Sequence, residues 1–323
     1  MAISYEYSIG SVRARETSLL SMQDAERLLS CSDTAQLCAT LSDMGIGEGS
    51  DVETILAQHE QETWAYLKSI APDFDIFTPF IIVNDIHNFK VALKGTMAGR
   101  EYKELMLLPC RVPHETIIKA VENRRMNLLP DFMEKPCDKA YELLAHTSDA
   151  RTADSILDRA LMDEMLRLSL KYRSAFLREY FQTLIFYNNV KIVIRASRAK
   201  PTRDYLNNSL CEVPSFGKKD YVEAALRGYD VLIDTLEKDS AYDCKQAMEA
   251  YKTSPSAFEK FTDDKLMRLA RESCKRTSEG AEPLLGYYLG REAEKKMIHI
   301  IASGIRTGAD ADIIRERLRE IYG

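Results

Sequence analysis

The stretch YNNVKIVIRAS, residues 187–197, decides the fold class because it fits two kinds of secondary structure. Val190, Ile192 and Ile194 stand at every second position, which is typical of a β-strand. On a helix, Lys191 and Arg195 would instead lie four residues apart on one face. The choice between strand and helix therefore depends on the segments around this stretch.

Most of the surrounding chain has helical signals. Glycine and proline are scarce, with 14 and 10 residues among 323. Residues 24–45 have leucines at helical spacing with Gly45 as a stop, and the helix predicted for 51–70 begins with Asp51 as its N-cap. Residues 148–190 contain neither glycine nor proline, and residues 310–323 repeat apolar side chains at helical spacing. These patterns predict an all-α protein.

Proline positions divide the chain into thirds. Pro109 and Pro113 form one group, and Pro201 and Pro214 form another. Proline disfavours helix at its own position and at the residue before it. We therefore expect three similar helical domains, spanning residues 1–108, 109–210 and 211–323.

A short motif recurs once in each third. The three copies are HNFKVALKG (87–95), NNVKIVIRA (188–196) and AEKKMIHII (293–301). In each copy a polar residue is followed two positions later by a lysine; the pairs are Asn88 and Lys90, Asn189 and Lys191, and Glu294 and Lys296. The third copy is rich in good helix formers. Copies of one unit share one backbone form, so residues 187–197 are predicted to be helical.

Charge, hydropathy and cysteine usage restrict the class of protein. The formal net charge is −6, which does not suggest broad nucleic-acid binding. No apolar run approaches the length needed to cross a bilayer, and the amino terminus does not resemble a secretion signal. The seven cysteines are scattered without a C-x-x-C pair, so we expect reduced thiols.

A basic stripe follows from the helical assignment. Lys191, Arg195 and Arg198 fall on one face, and no acidic residue occurs from Tyr180 through Arg203. Such a stripe is either an ordinary solvated face or a docking surface for an acidic partner. Surface helices usually mix charges to gain pairs four residues apart, which favours docking modestly.

Motifs for catalysis or metal binding are not recognisable. The five histidines lack metal-ligand spacing, and GIGEGS (45–50) reads as a connection between helices. Asp154 and Asp158 are expected to pair with the neighbouring Arg151 and Arg159. Asp263 and Asp264 are expected at the start of an N-capped helix. We therefore predict no catalytic residue, metal site or cofactor.

Three segments carry a resemblance to a known family. YEYSIGSVRARETSLLSMQDAERLL (5–29), NDIHNFKVALKG (84–95) and YYLGREAEKKMIHIIASGIRTGADADIIRERL (287–318) resemble the C subunit of A/V-type rotary ATPases, called the d subunit in vacuolar enzymes. The carboxyl-terminal residues that match the family pattern are Glu294, Ile300, Gly304, Arg306, Gly308 and Leu318. His299 stands where the family pattern has arginine, which weakens this position as a charged contact.

The resemblance implies a fold and a task. The family has three similar helical domains arranged as a funnel about a pseudo-threefold axis. It sits on the cytoplasmic side of the membrane ring of proteolipid (c-ring) subunits and receives the shaft made by the D and F subunits. It couples shaft to ring during ATP-driven pumping of H⁺ or Na⁺, or during ion-driven ATP synthesis, and has no active site. Basic residues of the three motifs become candidate partner contacts; they are Lys90, Lys94, Lys191, Arg195, Arg198, Lys296, His299 and Arg306.

Two other classes of protein remain open from the residues alone. One is a stand-alone helical-repeat adaptor that binds a peptide. The other is a helical metal-dependent enzyme whose site is assembled from distant acidic residues.

Overall fold

The computed structural model describes residues 3–323, and this part of the chain contains helices and no strand. The predicted all-α class is therefore confirmed. The chain divides into two compact units. One unit joins the chain up to Phe74 to Glu249–Gly323, and the other is Asp75–Met248.

The first unit draws its helices from both ends of the chain. They are α1 (Tyr5–Glu16), α2 (Met22–Leu29), α3 (Thr34–Asp43), α4 (Val52–Ile70), α14 (Pro255–Ala270), α15 (Glu282–Thr307) and α16 (Ala311–Arg317), with a π-turn at Arg271–Lys275. Helix α13 (Cys244–Thr253) is divided between the two units, and its second half, from Glu249, belongs here. Leu28, Leu37 and Ile55 pack with Ile298 and Ile301 of α15 in one apolar core. The amino-terminal and carboxyl-terminal segments thus share a single core.

The second unit is continuous in sequence. Its helices are α5 (Thr78–Ala98), α6 (His114–Glu122), α7 (Asp131–Thr147), α8 (Ala150–Lys171), α9 (Ala175–Ser197), α10 (Arg203–Ser209), α11 (Lys218–Arg227) and α12 (Tyr229–Glu237). Short 3-10 turns occur at Phe74–Phe77, Lys103–Leu105, Met126–Leu128 and Ala241–Asp243. Phe89 of α5 packs with Ile117, Val121, Cys137 and Leu157 in a core shared by α5 to α8.

The stretch that decides the fold class is helical. Residues 187–197 form the second half of α9, and the motifs at 87–95 and 293–301 lie inside α5 and α15. Val190, Val193 and Ile194 are buried. Burial of branched side chains offsets their slightly poor helix propensity, because the apolar surface removed from water contributes more than the propensity costs.

The start of α4 agrees with the sequence. Asp51 precedes α4 and its carboxylate accepts a hydrogen bond from the Thr54 N–H at 2.8 Å. The predicted N-cap is therefore confirmed. GIGEGS connects α3 to α4, as expected, and Gly45 has a φ of +74° that favours glycine.

Some expected helix boundaries were wrong. The stretch 24–45 is broken between α2 and α3, where the Asp33 side chain caps α3. The stretch 148–190 is broken between α8 and α9, where Arg173 has a φ of +54° and Ser174 caps α9. The helix expected to begin near Asp263 begins at Pro255, capped by Ser254, so Asp263 lies in its middle.

The carboxyl terminus is helical only in part. Helix α16 ends at Arg317, yet Leu318, Ile321 and Tyr322 are buried beyond it. The apolar spacing therefore predicted burial correctly and helix length incorrectly.

All seven cysteines are free thiols, and Cys110 is the one that is not fully buried. Within residues 3–323, every helix is too short or too polar for a transmembrane span. The division into thirds at 1–108, 109–210 and 211–323 stays a prediction.

Candidate partner-interface residues

The aligned polar residue of the first two motifs holds the backbone of a connecting segment. Asn88 of α5 donates its Nδ2–H to the Leu107 carbonyl at 2.9 Å, and its Oδ1 accepts from the Leu107 N–H at 2.6 Å. Asn189 of α9 makes the same two bonds to Cys211, at 2.9 and 3.1 Å. Both asparagines are fully buried. Each asparagine therefore satisfies a backbone N–H and a backbone carbonyl of a connecting segment that lies outside the helices.

The third motif has a carboxylate at the aligned position. Glu294 of α15 is buried, and its Oε1 accepts from the Leu20 N–H at 2.5 Å. Its Oε2 contacts His59 Nε2 at 3.1 Å and accepts from Arg291 at 3.0 Å. Arg291 Nε also donates to the Thr63 hydroxyl at 3.1 Å. A buried carboxylate surrounded by these donors is compensated both in charge and in hydrogen bonding.

The sequence alignment identified these three polar positions without predicting what they contact. Their partners lie in segments that precede α6, α11 and α2, and such tertiary contacts are not encoded in the local pattern. A polar residue on the apolar face of a helix was the available signal. In all three motifs it marks a buried hydrogen-bonding residue rather than a surface contact.

The two candidate lysines of α5 form ion pairs with α8. Lys90 Nζ lies 2.5 Å from Asp158 Oδ1, and Lys94 Nζ lies 2.7 Å from Asp154 Oδ2. Ion pairing of Asp154 and Asp158 was expected, but the expected partners were wrong. Arg151 instead stacks on the Tyr205 ring. The reason is geometric: α5 packs on α8 and brings its lysines to the acidic face.

The candidates of α15 are also largely engaged within the chain. Lys296 and Arg319 both contact the carboxylate of Asp263. Arg306 lies 3.5 Å from Glu53, with both side chains well exposed. Partial burial, together with the Lys295 ammonium, lowers the pKa of His299 below the usual imidazole value. His299 is therefore a weaker cation than the arginine of the family pattern.

The three residues of the basic stripe on α9 differ in exposure and in their contacts. Lys191 is half-buried, and Arg198 donates to the Tyr229 hydroxyl at 3.3 Å while its guanidinium lies over the Tyr229 ring. Arg195 is exposed, and it forms no hydrogen bond or ion pair with the described part of the chain, residues 3–323. Of the eight candidates, Arg195 is the arginine whose charge is most accessible to a partner.

The acidic residues do not assemble into a metal centre. Asp263 pairs with cations, and Asp264 accepts from the Glu320 N–H at 2.6 Å. Across residues 3–323 no group of three histidine, cysteine, aspartate or glutamate side chains is arranged to hold a metal ion. The carboxylates of α14 instead fix the carboxyl-terminal segment onto the helix.

Comparison with protein families identifies the family of this chain. The model of the ATP synthase (C/AC39) subunit family matches residues 8–317. The chain belongs to this family. The match includes all three motifs, so the resemblance of the amino-terminal, 84–95 and carboxyl-terminal segments is confirmed for a C/AC39 chain.

Individual relatives of this C/AC39 chain are distant but similar over most of its length. The A-type ATP synthase C subunit from Methanocaldococcus jannaschii is 23% identical, over 93% of this chain and 82% of the relative. The protein of the same name from Methanothermobacter thermautotrophicus is 22% identical, over 83% and 74%. That of Methanobrevibacter smithii is 24% identical, over 76% and 68%.

Proposed function

We propose that this chain is a non-catalytic central-stalk subunit of an A/V-type rotary ATPase. It couples the shaft made by the D and F subunits to the membrane ring of proteolipid subunits. The family match over residues 8–317 is the observation that carries this proposal. The chain transmits rotation during ATP-driven ion pumping or ion-driven ATP synthesis, and it needs no cofactor for this task.

The names of the relatives support a place in an ATP synthase complex. Three archaeal proteins that align with most of this chain are each named as the C subunit of an A-type ATP synthase. From the resemblance to the C subunit of A/V-type rotary ATPases, we infer that the chain is a peripheral subunit attached to the cytoplasmic face of the membrane through the other subunits.

The buried polar contacts suit a part that transmits torque. A coupling element must turn as one body without bending, and packed helices are stiff. Asn88, Asn189 and Glu294 are buried, and each holds a connecting segment to its own helix by hydrogen bonds. Buried hydrogen bonds have directional geometry, so they resist the sliding that purely apolar contacts tolerate.

The proposed architecture is three similar domains around a pseudo-threefold axis. A repeated unit closed around an axis offers a cavity on one side for a shaft and a broad base on the other for a ring. The recurrence of one buried polar residue that accepts from a backbone N–H in each motif supports a repeat.

The basic stripe of α9 is proposed as a contact for an acidic partner surface. Substitution of Arg195 tests this contact most directly, because the Arg195 side chain is exposed. The charge reversal Arg195→Glu, alone and with Lys191→Glu, should weaken binding to the shaft or the ring at low salt more than at high salt. Arg178→Glu is the matched control, since Arg178 is an exposed arginine on the same helix. Unchanged assembly of the charge-reversal variants at physiological salt would contradict the proposed contact.

The whole proposal is tested by copurification. A tagged chain is expressed with the D, F and proteolipid subunits of the same genome, solubilised in mild detergent, and captured through its tag. Mass spectrometry should find D, F and the proteolipid in fixed stoichiometry. Capture of the chain alone, with the other subunits present in the same extract, contradicts the proposal.

A further inference from the structure

A cavity of about 430 Å³ lies between α7, α8 and α10, inside the unit formed by Asp75–Met248. We call it the α7–α8 cavity. Its volume falls within the range of about 300–1,000 Å³ that is usual for small-molecule sites. Phe132 and Pro136 of α7 and Ile156 and Ala160 of α8 supply the apolar part of its lining. The cavity is therefore large enough for an organic molecule with an apolar body.

Cationic side chains outnumber anionic ones in the lining of this cavity. The cationic residues are Lys135, Lys139, Arg159 and Arg167, and the anionic residues are Asp163 and Glu164. The chain as a whole has a formal net charge of −6. A positively charged concavity on a negatively charged chain attracts anions locally, against the sign of the whole molecule.

The two carboxylates of the lining already serve the two arginines of α8. Arg167 donates to both oxygens of the buried Glu164, at 2.6 and 2.7 Å. Arg159 Nε lies 3.4 Å from Asp163 Oδ2. These ion pairs use the negative charge of the cavity wall on α8, so little of it remains for the lysines of α7.

The lysines of α7 have no counter-ion. Lys135 and Lys139 are exposed and lie four residues apart, where like charges on one helix face repel each other. Neither lysine forms an ion pair with any carboxylate in residues 3–323. Lys139 donates to the neutral Oδ1 of Asn208 at 3.3 Å. An anion bound between the two ammonium groups would remove their repulsion.

Positive charge is also in excess where α8 and α10 meet. Arg159 Nη1 and Lys218 Nζ both donate to the Asn207 carbonyl oxygen, at 2.6 and 3.4 Å. Burial, followed by the charge of Arg159, lowers the pKa of Lys218 below the usual lysine value, although Glu212 and Asp163 oppose this shift. Two cations are thus held close to one another beside the cavity.

The lining also offers neutral hydrogen-bonding groups. Pro136 lies inside α7, and because proline has no backbone N–H, the Phe132 carbonyl lacks the donor that an uninterrupted helix would supply. Asn208 accepts from Lys139 through its Oδ1, and its amide N–H groups have no partner in the described part of the chain. These groups suit a ligand that carries hydroxyl groups as well as charge.

The charge of the uncompensated lysines favours a phosphate ester over a single carboxylate. A phosphate monoester carries about −1.5 to −2 charge at pH 7 and has three acceptor oxygens. A carboxylate carries one negative charge on two oxygens. Lysine binds phosphate well as a point charge. Two neighbouring ammonium groups without a counter-ion therefore match one phosphate group.

We propose that the α7–α8 cavity binds a small organic phosphate. The phosphate group lies between Lys135 and Lys139, and the apolar body of the ligand packs on Phe132, Ile156 and Ala160. This binding site is additional to the coupling role and does not depend on it.

The test measures binding of adenosine 5′-monophosphate to the purified full chain by titration calorimetry, at about 0.15 M salt to screen non-specific attraction. This probe joins a phosphate monoester to hydroxyl groups and a flat ring system. The wild type should bind it saturably, with a Kd below about 1 mM. Adenosine, which lacks the phosphate, and inorganic phosphate, which lacks the body, should each bind at least about tenfold more weakly.

Two variants separate the charge of the cavity from its shape. Lys135→Ala with Lys139→Ala should weaken binding of the monophosphate at least about tenfold, because hydrogen bonds to charged groups are lost. Ala160→Leu fills the apolar part without changing a charge and should also weaken binding about tenfold. The control is Lys68→Ala with Lys103→Ala, two exposed lysines outside the cavity, and it should bind as the wild type does. Circular dichroism and the thermal midpoint should match the wild type in all three variants.

Several results would overturn the inference while leaving the coupling role intact. One is the absence of saturable binding of the monophosphate by the wild type, and another is equal binding by the wild type and the cavity-lysine variant. Weakening by the lysine substitutions but not by Ala160→Leu would place the bound anion outside the cavity. Citrate binding as tightly as the monophosphate would contradict selection of phosphate. Tighter binding of a hexaglutamate peptide than of the monophosphate would assign the cavity to an acidic protein segment instead.

Discussion

Glu294 on α15 accepts a hydrogen bond from the backbone N–H of Leu20, which lies 274 residues earlier in the chain. The same contact recurs between Asn88 and Leu107 and between Asn189 and Cys211, over only 19 and 22 residues. In the first two motifs the polar residue holds the segment that follows it. In the third motif that segment is supplied by the beginning of the chain, so the two ends are tied into one unit.

Removing one of these buried side chains should destabilise the fold. Asn189→Ala leaves the buried N–H and carbonyl of Cys211 without their side-chain partner, and we expect the free energy of unfolding to fall by about 2–3 kcal/mol. Urea denaturation measures this loss. Asn188→Ala is the control: Asn188 is half-buried, and we expect a loss below about 1 kcal/mol. Similar losses for the two variants would show that the hydrogen bonds of Asn189 to Cys211 do not stabilise the fold.

The buried acid Asp85 should make stability depend on pH. Burial raises the pKa of Asp85, although the N–H groups of Val112 and Arg111 and the positive charge of Arg111 oppose this shift. Its pKa in the folded chain therefore lies above the unfolded value of about 3.9. Between these two values the folded chain binds more protons, so the free energy of unfolding falls as pH rises.

The variant Asp85→Asn removes this dependence. Its side-chain oxygen can still accept from the Arg111 and Val112 N–H groups, but the side chain no longer ionises. Denaturation at a series of pH values from about 4 to 8 should find the variant gaining on the wild type as pH rises. A difference between the two proteins that does not vary with pH would show that Asp85 has an ordinary pKa.

Two helical glycines should respond oppositely to alanine. A Cβ on Gly286 of α15 would lie 2.5 Å from Cys274 Cβ and closer still to the Tyr322 hydroxyl. We expect Gly286→Ala to cost about 1–3 kcal/mol through overpacking. Nothing lies within 4 Å of a Cβ on Gly10 of α1, and Gly10→Ala should stabilise by about 0.5–1 kcal/mol. Thermal denaturation distinguishes them, and a tolerated Gly286→Ala would mean that Tyr322 is not packed there.

The ion pair between α5 and α8 should make a measurable but small contribution. Lys90 is mostly covered and Asp158 is half exposed, so a double-mutant cycle of Lys90→Ala and Asp158→Ala should give about 0.5–1 kcal/mol of coupling. The cycle of Lys90→Ala with Asp163→Ala should give none, because Asp163 pairs with Arg159 instead. Equal coupling energies in both cycles would indicate a long-range electrostatic effect of the α8 carboxylates rather than a direct contact between Lys90 and Asp158.

Helical structure could be predicted from the sequence where the helix propensities and capping side chains of nearby residues decide it. The helix formers around Glu294 settled the backbone form of residues 187–197, and Asp51 marked the start of α4. The breaks at Asp33 and Ser174 were missed. Both are short polar residues inside a helical pattern, where the same side chain suits a solvated face or a cap. Arg173 adopts a left-handed backbone conformation although it is not a glycine, and the sequence pattern does not predict this conformation.

Only part of the candidate site could be predicted from the sequence, because local patterns do not encode tertiary contacts. Periodicity gives the face on which Lys90 and Lys94 lie, but not the helix that packs against that face. The roles of Asn88, Asn189 and Glu294 depend on connecting segments that fold back onto them. The exposure of Leu107 and Leu108 likewise cannot be predicted from the sequence, since Leu19 and Leu20 form a similar apolar pair and are buried.

The proposed function is that this chain couples rotation and performs no reaction of its own. The most direct measurement compares ATP hydrolysis with ATP-driven ion uptake in membrane vesicles that contain the complex assembled with or without this chain. Without the chain, hydrolysis should continue while ion uptake is lost, and adding the purified chain should restore uptake. Full ion uptake in vesicles that lack the chain, or ATP hydrolysis by the purified chain alone, would contradict the account.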